Sequence, residues 1–513
     1  MMSKSYQNPI VRGMYPDPSI VQVDGTYYLA NSTFEYYPGI AISQSQDLVN
    51  WQQMPGVIKT TKQADLTQAK SNEGIFAVNI RYYHGYFYVI TTNFSEFKTI
   101  IIKGQLDKQQ QQIIWENQRV EVDIQGIDPD LYFENNHVYV QFTGYIDNKG
   151  TKAIQQVEIN LTTGQILRDP QVLTLGTGGR DVEGPHIIKR NDWYYLLMAE
   201  GGTGLGHMLT MQRSHNLWGP YQAPLEVNPL FTNRDRADEP LQNIGHADLF
   251  QDVQGNWWLT CLGTRPSPLD FSRITNLGRE TLLYPVIWDK EWPQIYQGVP
   301  TQSVDLTKFA QHAKNIGEQK LENFTDDFKN NQLNSEWLSL RNNLKERLHL
   351  EPGKLTLVGS DYQIEDLGTP SFIGIRQSEA QETFSVTLDS QTTQLNQGQA
   401  GIISLINADH YLALMLKYDK LQQQYQIFKV IKVADLKQVE TVATMQTLPE
   451  KLLIRNKPAS KQFVACWSDQ EIAFELSALH LSNEAVAALN TGDVQGIYVL
   501  GNAQLTICQA QRY

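Results

Sequence analysis

Over the first 300 residues, apolar and aromatic positions alternate with polar ones in short runs, and one run recurs. A turn residue is followed by alternating aromatic or branched residues: Gly25-Thr26-Tyr27-Tyr28-Leu29, Gly85-Tyr86-Phe87-Tyr88-Val89, Asn136-His137-Val138-Tyr139-Val140, Asp192-Trp193-Tyr194-Tyr195-Leu196 and Gly255-Asn256-Trp257-Trp258-Leu259. The copies lie roughly 50–60 residues apart. Each follows another short apolar run, such as 19–23 or 186–189, so each unit opens with a hairpin. Helical periodicity is scarce. Five such units match the scale of four-stranded propeller blades. Five unrelated hairpins in a sandwich would not explain the shared spacing and chemistry. The predicted fold is all-β, with a five-bladed β-propeller over residues 1–300.

The pattern changes after about residue 320, where Asn323-Phe324-Thr325-Asp326-Asp327-Phe328 opens a new segment. Strand-like runs follow at 354–358, 384–389, 401–406, 411–418, 425–431, 451–455, 463–467 and 496–501, with polar turns between them. This spacing predicts a β-sandwich over 322–513, and 301–321 reads as the connection.

Composition narrows the partners. The 513 residues are 41% apolar and 19% charged, with 24 Tyr and 10 Trp, which excludes a disordered chain. The net charge of −13 argues against a nucleic-acid partner, which needs basic patches. Cys261, Cys466 and Cys508 are far apart and odd in number, so they give neither a disulfide framework nor zinc spacing. The N-terminal stretch has no apolar core, and no run of 18 apolar residues occurs. The expectation is a cytoplasmic protein with no membrane partner.

The acidic residues carry a second repeat. Eight positions before Gly25 stands Asp17, eight before Asn136 stands Asp128, and nine before Asp192 stands Glu183. The same address in the second unit is Ala77, beside Phe76, and in the fifth Ala247, between His246 and Asp248. A blade begins at its innermost strand beside the central channel, so one address brings all five units to one mouth. Glycoside hydrolysis needs a carboxylic acid for the leaving oxygen and a carboxylate across the sugar ring. A third acid nearby keeps the first protonated. Prolines flank Asp17 in Tyr15-Pro16-Asp17-Pro18-Ser19 and hold its backbone. An Asp before Pro is by itself an ordinary turn former, and three acids at matched addresses are harder to dismiss. A calcium site would want its acids within one short loop.

At these residues the chain resembles glycoside hydrolase family 43, in the β-xylosidase and α-L-arabinofuranosidase branch that carries a C-terminal, concanavalin-like sandwich. The resemblance runs through 8–19, Thr33-Phe34-Glu35-Tyr36-Tyr37-Pro38-Gly39, Asp47-Leu48-Val49-Asn50-Trp51 and Glu183-Gly184-Pro185-His186. It continues in Glu200-Gly201-Gly202-Thr203, Gly245-His246-Ala247-Asp248 and Gly278-Arg279-Glu280-Thr281. It implies single-displacement, inverting hydrolysis without a cofactor. Asp17 would be the general base, Glu183 the general acid, and Asp128 would orient the acid and tune its pKa. Phe34 would line the terminal-sugar pocket, Thr203 would stand beside it, and Arg279 would contact sugar hydroxyls. His246 matches the family's central histidine, beside a water or cation in the channel; the other reading is a hydrogen-bonded core histidine. A homo-oligomer, often a tetramer, is also implied.

Two departures bear on specificity. The family's xylosidases usually carry Trp where this chain reads Glu73-Gly74-Ile75-Phe76-Ala77, so Phe76 and Ala77 shape a different wall. The sandwich segment that brings a phenylalanine to their pocket reads Ala488-Leu489-Asn490-Thr491-Gly492-Asp493 here, with no aromatic. The expectation is an exo-acting enzyme on arabino- and xylo-oligosaccharides that favours terminal α-L-arabinofuranosyl over β-xylosyl groups. A lectin-like propeller would suit the aromatic content but would not need three matched acids. A retaining fructan hydrolase usually opens with an Asn-Asp-Pro-Asn type motif, absent here. No His-Glu-x-x-His supports a metal-dependent hydrolase, and Gly201-Gly202-Thr203-Gly204-Leu205-Gly206 lacks the register and βαβ context of a nucleotide loop.

Overall fold

The computed structural model describes residues 5–321, 323–330, 332–486 and 489–513. Glu322 and Ala488, both within the ranges read above, lie outside these residues, as do residues 1–4. Five antiparallel sheets follow one another, and their inner strands are Ser19–Val23, Ile75–Tyr83, Ile127–Glu134, Glu183–Arg190 and Gln242–Gln251. Each inner strand packs beside the next and the fifth beside the first, which closes a five-bladed propeller. The recurring hairpins turn where expected. Asp24-Gly25, His84-Gly85 and Asn135-Asn136 all have positive φ at both central positions, the backbone that suits the twist of the flanking strands.

The aromatic doublets explain why blades stack. Neighbouring residues on a strand face opposite sides of the sheet. Tyr27 and Leu29 enter the core shared with the fifth blade, while Tyr28 and Ala30 enter the core shared with the second. Phe87 and Val89 join that second layer, and Tyr88 and Ile90 face the third blade. A blade is therefore apolar on both faces, and only a ring of blades buries both.

The ring is closed by segments distant in sequence. Ser5–Gln7 pairs with Ser303–Asp305, and Val11 bridges to Thr281 of the fifth blade. The stretch read as a connection contributes to the propeller: Val304, Leu306, Phe309, Ala313 and Ile316 are buried in its core. Its apolar residues are too few and too irregularly spaced to read as a strand.

The second domain is a curved, two-layered sheet built on one long strand, Val494–Arg512. Its first half pairs with Ser371–Arg376 and Gln394–Asn407, and its second half with Lys354–Val358 and Thr383–Leu388. The strand changes layers near Gly501, whose φ is +69°.

The domains share a core. Tyr36–Tyr37 of the first blade pairs with Ser339–Leu340 of the sandwich. Met14 and Tyr36 pack with Leu338, Leu340, Phe372 and Tyr411. Arg376 donates from Nε to the Met14 carbonyl at 2.7 Å, and the backbone N–H of Arg341 donates to the Glu35 carbonyl at 2.8 Å. The sandwich is thus an extension of the propeller's packing. Among the described residues no helix is long and apolar enough to cross a membrane.

Candidate active site

The repeat address is built by one local device. The inner-strand ladders of blades two to five each lose register at it, between Ile75 and Val78, Ile127 and Asp130, Glu183 and His186, and Gly245 and Asp248. A bulge bends a strand and re-aims its side chains. Pro129 and Pro185 fall where the ladder is broken, the place within a sheet where a missing N–H costs least. Asp17, Asp128 and His246 have φ of 53°, 53° and 42°, and Gly184 has 60°. These left-handed positions lie at the repeat address or one residue from it, and the three that are not glycine are strained.

Asp17 is buried at 3% exposure. Its Oδ1 accepts from Arg279 Nη1 at 3.0 Å and lies 3.6 Å from His246 Nδ1, and its Oδ2 accepts from the Ser32 hydroxyl. Burial pushes its pKa upward, but Arg279, His246 and Ser32 outweigh that and hold it below the usual carboxylate value. Asp17 is therefore ionised at neutral pH.

Glu183 has the opposite environment. Burial raises its pKa first, and the Asp128 charge adds to this against Lys152 and Arg279, so it rises to about 8. Asp128 is itself raised by burial and by Asp17, offset in part by His246, Lys152 and the Gly184 N–H. One ionised and one protonated carboxyl group can take and give a proton in a single cycle.

The rest of the wall follows. Arg279 donates from Nη1 to Thr203 Oγ1 at 3.3 Å, and its guanidinium carbon lies 5.5 Å from the Phe34 ring centre. Phe34 meets Phe76 at 5.6 Å, and Phe94 stacks flat on Phe76 at 4.5 Å. Gly74 permits this wall, because a Cβ there would come within 2.3 Å of the Phe34 carbonyl oxygen. Ala77 is buried at the second-blade address. His246 lies against Gly184, where a Cβ would stand 3.2 Å from its ring, and so joins the fifth blade to the fourth. The sandwich reaches the same wall: Arg279 Nη2 donates to the Asn490 carbonyl at 3.3 Å, and the Asn490 side chain donates to the Asn72 carbonyl at 3.3 Å.

Some conspicuous acids are structural. Glu200 accepts from Thr177, Gly179 and Thr210 and ties down its loop. Glu280 holds Arg265 and the Gly13 N–H. Asp47 caps the turn before Trp51 through the Val49 and Asn50 N–H groups.

Sequence reading missed Ser32, Lys152, His207 and a second ring beneath the first. Ser19, Arg81, Asp130, His186 and Asp248 come from all five blades and meet in the channel. Arg81 donates to Asp130 Oδ2 and Asp248 Oδ2, both at 2.7 Å, and its Nη2 lies 3.0 Å from His186 Nδ1. Ser19 donates to Asp248 at 2.7 Å. The signal was available: Ser19, Asp130 and Asp248 stand at one constant offset, two residues after Asp17, Asp128 and His246. Among the described residues no three His, Cys, Asp or Glu side chains are grouped as a metal ligand set. A groove of about 1240 Å³ between the first blade and the sandwich contains none of the three acids.

Comparison with known proteins agrees with this architecture. Residues 6–293 match the model for glycosyl hydrolases family 43, and 325–510 match the β-xylosidase C-terminal concanavalin A-like domain. The non-reducing end alpha-L-arabinofuranosidase BoGH43B of Bacteroides ovatus is 32% identical, over 98% of this chain and 93% of its own. A xylosidase/arabinosidase of Butyrivibrio fibrisolvens is 31% identical over 83% of this chain and 82% of its own. A solved structure described as Bacteroides ovatus xyloglucan PUL GH43B superposes with a TM-score of 0.87 at 29% identity, covering 99% of this chain and 100% of that one. The chain belongs to glycosyl hydrolases family 43. It is an O-glycosyl hydrolase, and the family inverts the anomeric centre.

Proposed function

We propose that the enzyme removes terminal pentose, α-L-arabinofuranosyl in the first place, from the non-reducing ends of arabino- and xylo-oligosaccharides. Asp17 takes a proton from water, whose oxygen bonds to the anomeric carbon. The bond to the leaving oxygen breaks on the opposite face, and Glu183 supplies the proton that oxygen needs. Asp128 keeps Glu183 protonated through its charge. No cofactor enters this cycle. The observation that carries the reading is the opposed ionisation of Asp17 and Glu183 within one buried cluster.

The arabinoside preference rests on the Phe76 wall and on Asn490, where the sandwich loop brings no aromatic ring to the rim. It agrees with the activity named for the Bacteroides ovatus relative. A β-xylosidase or a dual enzyme is the second reading, favoured by the Butyrivibrio relative, which is named for both. The test is kcat/KM on aryl α-L-arabinofuranoside and aryl β-xyloside with one preparation. A preference for the arabinoside supports the first reading, a preference for the xyloside replaces it with the second, and turnover of neither refutes both.

A further inference from the structure

His207 is 1% exposed, and nothing in the cycle above uses it. It lies at the end of the fourth blade that bears Glu183. Its backbone is fixed on both sides, by donation from its N–H to the Gly204 carbonyl at 3.0 Å and by acceptance from Thr232 Oγ1 at 2.8 Å. Its Nδ1 lies 3.2 Å from the Asn243 carbonyl oxygen. A carbonyl only accepts, so Nδ1 carries the hydrogen and Nε2 carries a lone pair. That Nε2 is buried with no hydrogen-bond partner among the described residues. It faces Glu183 Oε1 at 3.7 Å.

The niche is made for this ring. A Cβ on Gly245 would stand 2.1–2.3 Å from three of its atoms, so the fifth blade admits the imidazole only because residue 245 has no side chain. Burial pushes the His207 pKa down to about 3, so the ring stays neutral wherever the enzyme works. A buried acceptor without a donor is costly. A protonated carboxyl group beside it is a donor that needs an acceptor.

We propose that His207 is the positioning residue for the catalytic acid: its Nε2 accepts the Glu183 O–H in the resting site, which keeps the acid protonated and its carboxyl group oriented until a glycosidic oxygen takes the proton. The 3.7 Å gap is about 0.8 Å longer than a typical bond of this kind. The Glu183 side chain, 15% exposed, closes it by a small rotation. This proposal rests on Glu183 being the acid. The other groups that act on Glu183 are Asp128, Lys152, Arg279 and Asp17. Asp128 and Asp17 favour the protonated form, and Lys152 and Arg279 oppose it. His207 adds a directional contact that a distant charge cannot.

The test compares His207→Leu and His207→Gln with the unchanged enzyme, Gln offering an acceptor oxygen near the Nε2 position. Two substrates are used, a dinitrophenyl glycoside that leaves without protonation and an oligosaccharide that needs the proton. The oligosaccharide kcat should fall by about tenfold or more in His207→Leu, while the dinitrophenyl rate falls by less than about threefold. The basic limb of kcat/KM should move to lower pH, because the protonated form has lost its acceptor, and His207→Gln should recover part of both effects. Equal losses on the two substrates with an unmoved basic limb would overturn the proposal and leave His207 as packing. If His207→Leu does not fold, His207→Asn replaces it, since Asn can still donate to the Asn243 carbonyl but does not reach Glu183. Glu183→Ala on the same substrates separates the two claims. If it shows no leaving-group dependence, the acid assignment has failed; if it does and the His207 variants do not, only this proposal has.

Discussion

Arg279 of the fifth blade donates to Asp17 of the first across 3.0 Å, joining two residues 262 positions apart. The contact fixes where the base points and which charge it carries. Arg279→Ala should therefore raise the Asp17 pKa and move the acidic limb of kcat/KM to higher pH, with about a hundredfold loss of kcat/KM from the lost positioning. A pH profile of the variant checks this. An acidic limb that stays in place would mean that Ser32 and His246 suffice to keep Asp17 ionised.

The aromatic wall makes a prediction about specificity. Phe76 lies between Phe34 and the flat-stacked Phe94, so an indole at this place enlarges the wall toward the sugar. Phe76→Trp should change the ratio of xyloside to arabinoside kcat/KM by about tenfold in favour of the xyloside. An unchanged ratio would remove Phe76 as a determinant.

The five-blade ring beneath the site leads to a prediction about metals. Arg81 neutralises Asp130 and Asp248 within the channel. Dialysis against a chelator should leave kcat/KM unchanged, and loss restored by added calcium would contradict this. Arg81→Met should destabilise the fold by about 3–5 kcal/mol, because it leaves two buried carboxylates without their cation. Thermal unfolding reads that effect.

A fourth prediction concerns pH and stability. Glu35 is fully buried behind Phe34, and burial raises its pKa to about 8 despite Arg341 and the Asn72 N–H. In the unfolded chain a glutamate holds its proton only to about pH 4.3. Between these values the folded chain binds the extra proton, so the contribution is full below the unfolded value and is lost as pH rises through about 8. Glu183 acts with the same sign. Glu35→Gln should flatten the fall of Tm from pH 6 to pH 9, and an equal slope in both proteins would refute the assignment.

Much of this was legible in the chain. The aromatic doublets showed the blades because both faces of each sheet are buried, which leaves a strong local pattern. Counting back from the turns located Asp128 and Glu183 because the same bulge recurs in the inner strands of blades two to five, and Asp17 because it stands at the same distance before its own hairpin, just ahead of the unbulged strand Ser19–Val23. What was not legible depends on closure. Val304 and Phe309 complete the propeller from the far side of the fifth blade, and nothing local marks them. His207 is a single residue in a glycine-rich turn, and only Gly245 of another blade shows why it is there. Arg81 became visible as a channel cation only once all five inner strands stood side by side.

The central claim is that Asp17 works ionised and Glu183 works protonated. The most direct measurement is the pH dependence of kcat/KM on an oligosaccharide substrate for the unchanged enzyme and for Glu183→Ala. A bell is predicted, with its acidic limb below about pH 4 and its basic limb near the Glu183 value of about 8. The basic limb should vanish in Glu183→Ala along with most of the rate. A basic limb that survives this substitution, or a profile with no basic limb at all, would contradict the account.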